Sequence, residues 1–338
     1  MHTRRAWPSW RSWALLAGIA TLAATTTTAV TTTAATAATA STSAAQCAAP
    51  ASHKAPATRL ARAINAALRG RFTSTDPSYN PFDDVSVAVQ DPATGVRCWY
   101  HPSQQYYSAS AIKATILAAL LLKAQDEHRA LTPTEKSEAW LMITQSDNSA
   151  ASALWADDGL ASLQHFLDRA KMTQTVLSTW GAWGLTEITA HDQTLLLRLL
   201  MSKGDVLTTK SRQYELYLMN HVISSETWGV RAGSPRYYSW HIKNGWAPLP
   251  DLNSSPWVIN SIGCFLHTSA SHQLAGYTIV VLTHDNPSES YGIATVESVA
   301  WVINRGLVPG ARSVWPRSGA TAATQVPDET LPARPAGG

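Results

Sequence analysis

Ser110 and Lys113 stand three residues apart in Tyr106-Tyr107-Ser108-Ala109-Ser110-Ala111-Ile112-Lys113, which leads into the apolar run Ala114 to Lys123. Residues three apart on a helix share a face. The spacing therefore puts a hydroxyl beside an amine on a first helical turn. A serine hydroxyl is a poor nucleophile at neutral pH until a base takes its proton. An amine whose pKa is lowered by burial or nearby charge can be that base. The helix N-terminus adds free N–H groups where an oxyanion would form. Alone, this pattern is weak, because a Ser-rich chain of this length carries about one such pair by chance. Two later groups strengthen it. Ser146-Asp147-Asn148 breaks a helical pattern, and Lys243-Asn244-Gly245 is expected to end a strand.

Other polar residues invite chemistry but have simpler readings. His191-Asp192 suggests a triad, yet both fall in the first turn of a predicted helix, where Asp192 suits the dipole. His241 lies on one side of a strand and reads as structural. Asp147 reads as a helix cap. Trp180, Trp183 and Trp246 read as packing or pocket wall.

The elements that must hold these groups follow from period and punctuation. Leu60, Ile64 and Leu68 recur every four residues, predicting a helix over Thr58–Arg71. Val85–Asp91 and Val96–Tyr100 alternate around the turn Pro92-Ala93-Thr94-Gly95, predicting an antiparallel hairpin. A helix from Ser110 runs to about Glu127. Thr132-Pro133-Thr134-Glu135 has capping-box spacing and opens a helix to Ile143. Helices are predicted over Ser149–Trp155, Leu160–Ala170, His191–Met201 with Thr189 as cap, and Tyr214–Val222. The period then returns to two. Strands are expected over Tyr238–Lys243, Trp257–Gly263 and the β-branched Tyr277–Thr283. A last helix, Tyr291–Asn304, carries Ile293, Val296, Val299 and Ile303 on one face. The order predicts an α/β (α+β) fold: a five-stranded antiparallel sheet flanked by terminal helices, with an all-helical region over about residues 110–235 inserted after the second strand.

The chain has 338 residues, of which 14% are charged, with a net charge of +3. There is no basic stripe, which argues against nucleic-acid binding. Arg4, Arg5 and Arg11 precede an apolar stretch, Trp13–Ala24, that has the length of a signal-peptide core and is short for a membrane span. Residues 1–45 therefore read as a signal peptide and Ala/Thr-rich leader, with cleavage before Cys47, and the mature protein as secreted without a stable span. Arg4-Arg5 leaves Sec and Tat export both open. Residues 46–310 read as one catalytic domain, and residues 311–338, rich in Pro, Gly, Ala and Thr, as a disordered tail. An exported chain permits disulfides. Of the three cysteines, Cys47 and Cys98 are expected to pair, leaving Cys264 as a buried free thiol. Cysteine and histidine spacing suggests no metal, and no Gly-rich loop suggests a phosphate cofactor. Nothing demands more than a monomer.

The ordered trio Ser110-x-x-Lys113, Ser146-Asp147-Asn148 and Lys243-Asn244-Gly245 resembles the penicillin-recognising serine enzymes, the class A β-lactamases and penicillin-binding DD-peptidases. The resemblance spans about Thr58 to Leu307. It implies that Ser110 attacks a β-lactam or D-Ala-D-Ala-type carbonyl and is acylated. Lys113 would take its proton, and Ser146 would relay a proton to the leaving nitrogen. Asn148 would bind the substrate amide and Lys113. Lys243, Asn244 and Gly245 would face the substrate carboxylate, with Lys243 also helping to keep Lys113 neutral. The backbone N–H groups of Ser110 and Trp246 would form the oxyanion hole. Two departures stand out. Asn244 replaces the usual Thr or Ser, and the E-x-x-L-N loop that activates the deacylating water is missing. Glu187, in Thr186-Glu187-Ile188-Thr189, is the carboxylate nearest to that role. The resemblance thus implies a small-molecule β-lactam or D-Ala peptide substrate and a slow acyl-serine hydrolase. The alternatives are a D-alanyl-D-alanine carboxypeptidase and a penicillin-binding protein that acylates without turnover.

Overall fold

The computed structural model describes residues 44–69, 84–179, 181–248, 257–268 and 274–314. Nearly all of the leader, most of the tail and Trp180 lie outside these residues. Among the described residues, no helix is long and apolar enough to cross a membrane.

The hairpin forms as its alternation requires. Strands β2 (Val85–Asp91) and β3 (Val96–Tyr100) pair antiparallel, with Val89 opposite Cys98. Asp91 builds the turn, its carboxylate accepting from the Ala93 amide at 3.0 Å and the Thr94 hydroxyl at 2.7 Å. Gly95 completes it at φ +71°, a backbone angle that favours glycine. Strand β1 (Gln46–Ala48) joins the outer edge of β3, and a disulfide links Cys47 to Cys98, its partner in register. Cys264 is buried and unbonded.

A separate two-stranded sheet pairs β4 (Gln105–Tyr107) with β5 (Glu187–Thr189). Three long strands complete the main sheet: β6 (Ser239–Pro248), β7 (Trp257–Thr268) and β8 (Leu274–Asn286). Its order is β1-β3-β2-β8-β7-β6, every pair antiparallel. The five expected strands are present, and β1 adds a sixth at the edge.

Period-two alternation divides the two cores. Ile259 and Phe265 of β7, with Val85, Val87 and Val89, face the terminal helices α1 (Lys54–Arg69) and α7 (Glu289–Leu307). Ile262, Cys264 and Leu266 face the opposite way, into the helical region. That region consists of α2 (Ile112–Asp126), α3 (Pro133–Thr144), α4 (Asn148–Ala170), α5 (Ala190–Met201) and α6 (Thr209–Met219). Helix α2 is buried on all sides from Ile112 to Leu122, so it forms the axis of the region. The Thr132–Glu135 capping box forms reciprocally, and Thr189 caps α5 through the Asp192 amide. The two helical runs expected on either side of Gly159 meet there as α4, with Gly159 at φ +71°.

Two local expectations are corrected. Lys243-Asn244-Gly245 does not end its strand. Trp246, Ala247 and Pro248 remain paired with Ile259, Val258 and Trp257, so the ladder overrides the turn chemistry of Asn-Gly. Ser110 does not open the α-helix itself. It sits in a 3-10 turn, Ala109–Ala111, and α2 begins at Ile112.

Candidate active site

The turn that carries Ser110 is held from three directions. Asn260 on β7 donates its amide to the carbonyls of Tyr107 and Ser108 at 2.8 and 3.1 Å. The Ser108 amide donates to Thr186 O at 2.9 Å, and its hydroxyl to Gly184 O at 3.3 Å. Gly245 packs directly against the turn. A Cβ there would lie 2.4 Å from Ala111 N, 2.6 Å from Ser108 O and 2.9 Å from Ser110 N. Only glycine lets β6 approach the Ser110 backbone this closely. The turn is also strained, because Ala109 stands at φ +43°. Ser110 is 9% exposed, and its hydroxyl makes no hydrogen bond among the described residues.

Lys113, on the first turn of α2, is fully buried. Its Nζ donates to Ser146 O at 2.6 Å, Asn148 Oδ1 at 2.7 Å and, more weakly, Ser146 Oγ at 3.4 Å. The Trp183 ring lies against the same amine, 4.6 Å from Nζ to its centroid. Ser146 takes φ +56°, a left-handed angle unusual for serine. That angle turns its carbonyl to one lysine and its hydroxyl to the other. Lys243 Nζ donates to Ser146 Oγ at 2.8 Å and to Asn244 O at 2.9 Å. Asp147 caps α4 by accepting from the Ala150 amide at 2.7 Å, which leaves Asn148 on its first turn. The Asn148 carbonyl oxygen is committed to Lys113, while its amide hydrogens have no partner among the described residues.

A buried lysine needs partners, because an unpaired buried charge is costly. Lys243 has one that local pattern does not reveal. Glu226, in the loop after α6, is 3% exposed, and its carboxylate lies 3.9 Å from Lys243 Nζ. Burial pushes Glu226 above the usual carboxylate range, against the pull of Lys243 and Lys113. Burial likewise lowers Lys243, against Glu226.

Asn244 departs from its expected place. Its amide donates to Glu226 O at 2.8 Å and Trp228 O at 3.2 Å, and its carbonyl accepts from Ser261 Oγ at 2.6 Å. Alternation along β6 explains this, since Lys243 and Gly245 share one face and Asn244 takes the other. Its donors are spent on the 226–228 loop rather than on a ligand's carboxylate. Trp246 points the same way, its ring edge-on to Trp228 with centroids 5.8 Å apart. Glu187 lies on β5, paired through its backbone with Tyr107 and Val176. Its carboxylate has no hydrogen bond or ion pair among the described residues. His191 Nδ1 meets Asp192 at 3.0 Å, and Asp192 is otherwise occupied by Gln174 N and the Thr175 hydroxyl. His241 Nδ1 lies 2.7 Å from Leu216 O, a structural contact.

Local sequence gave no sign of Glu226, which sits in the unpatterned Ser224-Ser225-Glu226-Thr227. Asn260 did leave a signal: a carboxamide in the middle of a strand otherwise destined for burial.

The comparisons bear on family and fold. A model described as the beta-lactamase enzyme family matches residues 130–305, just over half of the chain. That span includes Ser146, Asn148, Glu226 and Lys243 but not Ser110 or Lys113. The TLA-3 extended-spectrum beta-lactamase superposes with a TM-score of 0.61 at 15% identity, over 74% of this chain and 99% of that one. A beta lactamase of Xanthomonas campestris pv. campestris gives 0.59 at 18% identity, over 74% and 97%. A class A beta-lactamase representative from Bacteroides cellulosilyticus gives 0.58 at 14%, over 75% and 98%. At such identities the likeness concerns the fold. No curated protein matches the chain.

Proposed function

The chain belongs to the beta-lactamase enzyme family, and from that premise we propose that it is a secreted acyl-serine hydrolase acting on β-lactams through a covalent Ser110 acyl-enzyme. The observation that carries this reading is the convergence of two buried lysines on one serine, with Lys113 and Lys243 both reaching Ser146 Oγ. In the proposed step, Ser110 Oγ bonds to the lactam carbonyl carbon and the ring C–N bond breaks. The Ser110 proton passes to Lys113, Lys113 passes a proton to Ser146, and Ser146 delivers its own to the leaving nitrogen. The Ser110 and Trp246 amides receive the oxyanion. Positive charge on Lys243 attracts the substrate carboxylate and disfavours a second charge on Lys113. Asn148 offers its uncommitted amide hydrogens to the substrate side chain. With Asn244 turned inward, carboxylate recognition falls to Lys243 alone. Hydrolysis then requires water to attack the acyl carbon, its proton returning to Ser110 Oγ, and Glu187 is the carboxylate proposed to serve that water.

All these groups come from one chain, so a monomer suffices. Residues 46–310 are the proposed catalytic domain, with export directed by residues 1–45.

A chromogenic cephalosporin assay with intact-protein mass spectrometry tests the proposal. It expects one adduct per chain, lost in Ser110→Ala. An adduct that survives Ser110→Ala overturns the assignment. D-alanine release from a D-Ala-D-Ala peptide, without lactam turnover, would point instead to a carboxypeptidase.

A further inference from the structure

Trp183 holds a position that the acylation scheme does not use. Its ring touches the Lys113 amine on one side, and its Nε1 donates to Ser152 Oγ at 3.1 Å on the other. Ser152 is exposed on α4, whereas Trp183 is 7% exposed. The indole therefore stands between the catalytic amine and outside solvent. It is also firmly seated. Trp183 begins a 3-10 turn closed by Leu185 N to Ala182 O and Thr186 N to Trp183 O, at 2.9 and 3.0 Å. The same turn is tied to Ser108, two residues before Ser110, by the two hydrogen bonds already described.

Resting on the acyl-serine reading above, we propose that Trp183 is the residue that sets the lifetime of the Ser110 acyl-enzyme, by excluding hydrolytic water from the Lys113 side of the pocket. Deacylation forms a bond from a water oxygen to the acyl carbon, breaks the bond to Ser110 Oγ and moves a water proton to that oxygen. The water must sit beside a group able to take its proton for part of that course. A ring centroid 4.6 Å from Nζ leaves no room for a water between them. The indole offers only a π face there, because its N–H is spent on Ser152. The protein thus acylates readily and lets go slowly, as a trap for β-lactams rather than a fast degrader.

The test follows benzylpenicillin adduct formation and decay by intact mass in the parent, Trp183→Leu and Ser152→Ala. Leucine keeps apolar bulk but withdraws the ring from Lys113. Ser152→Ala leaves the whole constellation intact and frees only the indole. The expected result is a parent adduct that persists after excess ligand is removed. It should decay at least about tenfold faster in Trp183→Leu and detectably faster in Ser152→Ala, while acylation changes less than deacylation. Equal adduct lifetimes in all three overturn the role of Trp183 but leave the acyl-serine reading standing. Rapid parent turnover with no accumulated adduct overturns the trap. No reaction of the parent at all overturns both readings. A misfolded Trp183→Leu would leave Ser152→Ala to decide.

Discussion

Lys113 and Ser146 meet twice: the amine donates to the serine carbonyl at 2.6 Å and to its hydroxyl at 3.4 Å. The left-handed backbone of Ser146 makes this possible and leaves the hydroxyl 2.8 Å from Lys243. If that hydroxyl relays the proton, Ser146→Ala slows acylation by about a hundredfold or more. Ser146→Gly removes the same hydroxyl but relaxes the φ angle, so it should be more stable than Ser146→Ala by about 1 kcal/mol. Stopped-flow acylation and thermal melts check both halves. Unchanged acylation in either variant would remove Ser146 from the relay.

Gly245 sets how close β6 comes to the Ser110 turn. Gly245→Ala would place a methyl 2.4 Å from Ala111 N, and the obstacles are backbone atoms that cannot rotate away. The expected outcome is a loss of about 1–3 kcal/mol and a larger fractional loss of acylation, because the Ser110 turn itself must shift. Chemical denaturation alongside adduct formation separates the two effects.

Asp158 on α4 is 6% exposed, and both its oxygens lack a partner among the described residues. Burial pushes its pKa up to about 8, with Asp157 and Glu135 adding to the rise and Lys123 and Arg129 opposing it. A folded-state pKa raised above the unfolded value means the folded chain holds the extra proton. The stability so gained is complete below the unfolded value of 3.8 and is lost as pH rises toward about 8. Asp158→Asn should therefore gain on the parent as pH rises, by about 2 kcal/mol or more near pH 8. Glu215, fully buried and raised well above its usual range, adds a slope of the same sign that survives the substitution. Melting curves of the two proteins from about pH 5 to pH 8 give the difference. A gap that does not widen with pH would place Asp158 in contact with water.

The disulfide closes a loop of 51 residues. On the chain-entropy account, Cys47→Ser should cost about 4 kcal/mol. It should also release β1 from β3, because Cys47 and Cys98 are partners in register. Denatured, unreduced parent protein should titrate one thiol, that of Cys264. Three thiols would mean that the bridge does not form in solution.

Much of this molecule was legible along the chain because the signals are local. The Thr132–Glu135 box, the Asp147 and Thr189 caps and the Asp91 turn each close within three residues, so composition and spacing suffice to place them. The alternation of β2 and β3 likewise placed the hairpin, and the period of nearly four placed the buried faces of α1 and α7. The same locality singled out Ser110 with Lys113, whereas Ser146 and Lys243 joined them only through the resemblance to the penicillin-recognising enzymes.

Tertiary structure alone decided what those residues touch. Lys113 reaches Ser146 across 33 positions and Lys243 reaches it across 97, with Glu226 behind. No window of sequence contains such pairings, because burying an amine requires partners wherever the fold happens to supply them. The pleat likewise turned Asn244 into the protein when its spacing suggested the pocket. The seating of Trp183 over Lys113 depends on two loops and a helix meeting in three dimensions. Sequence determined the candidate groups and the elements that carry them; packing determined their neighbours.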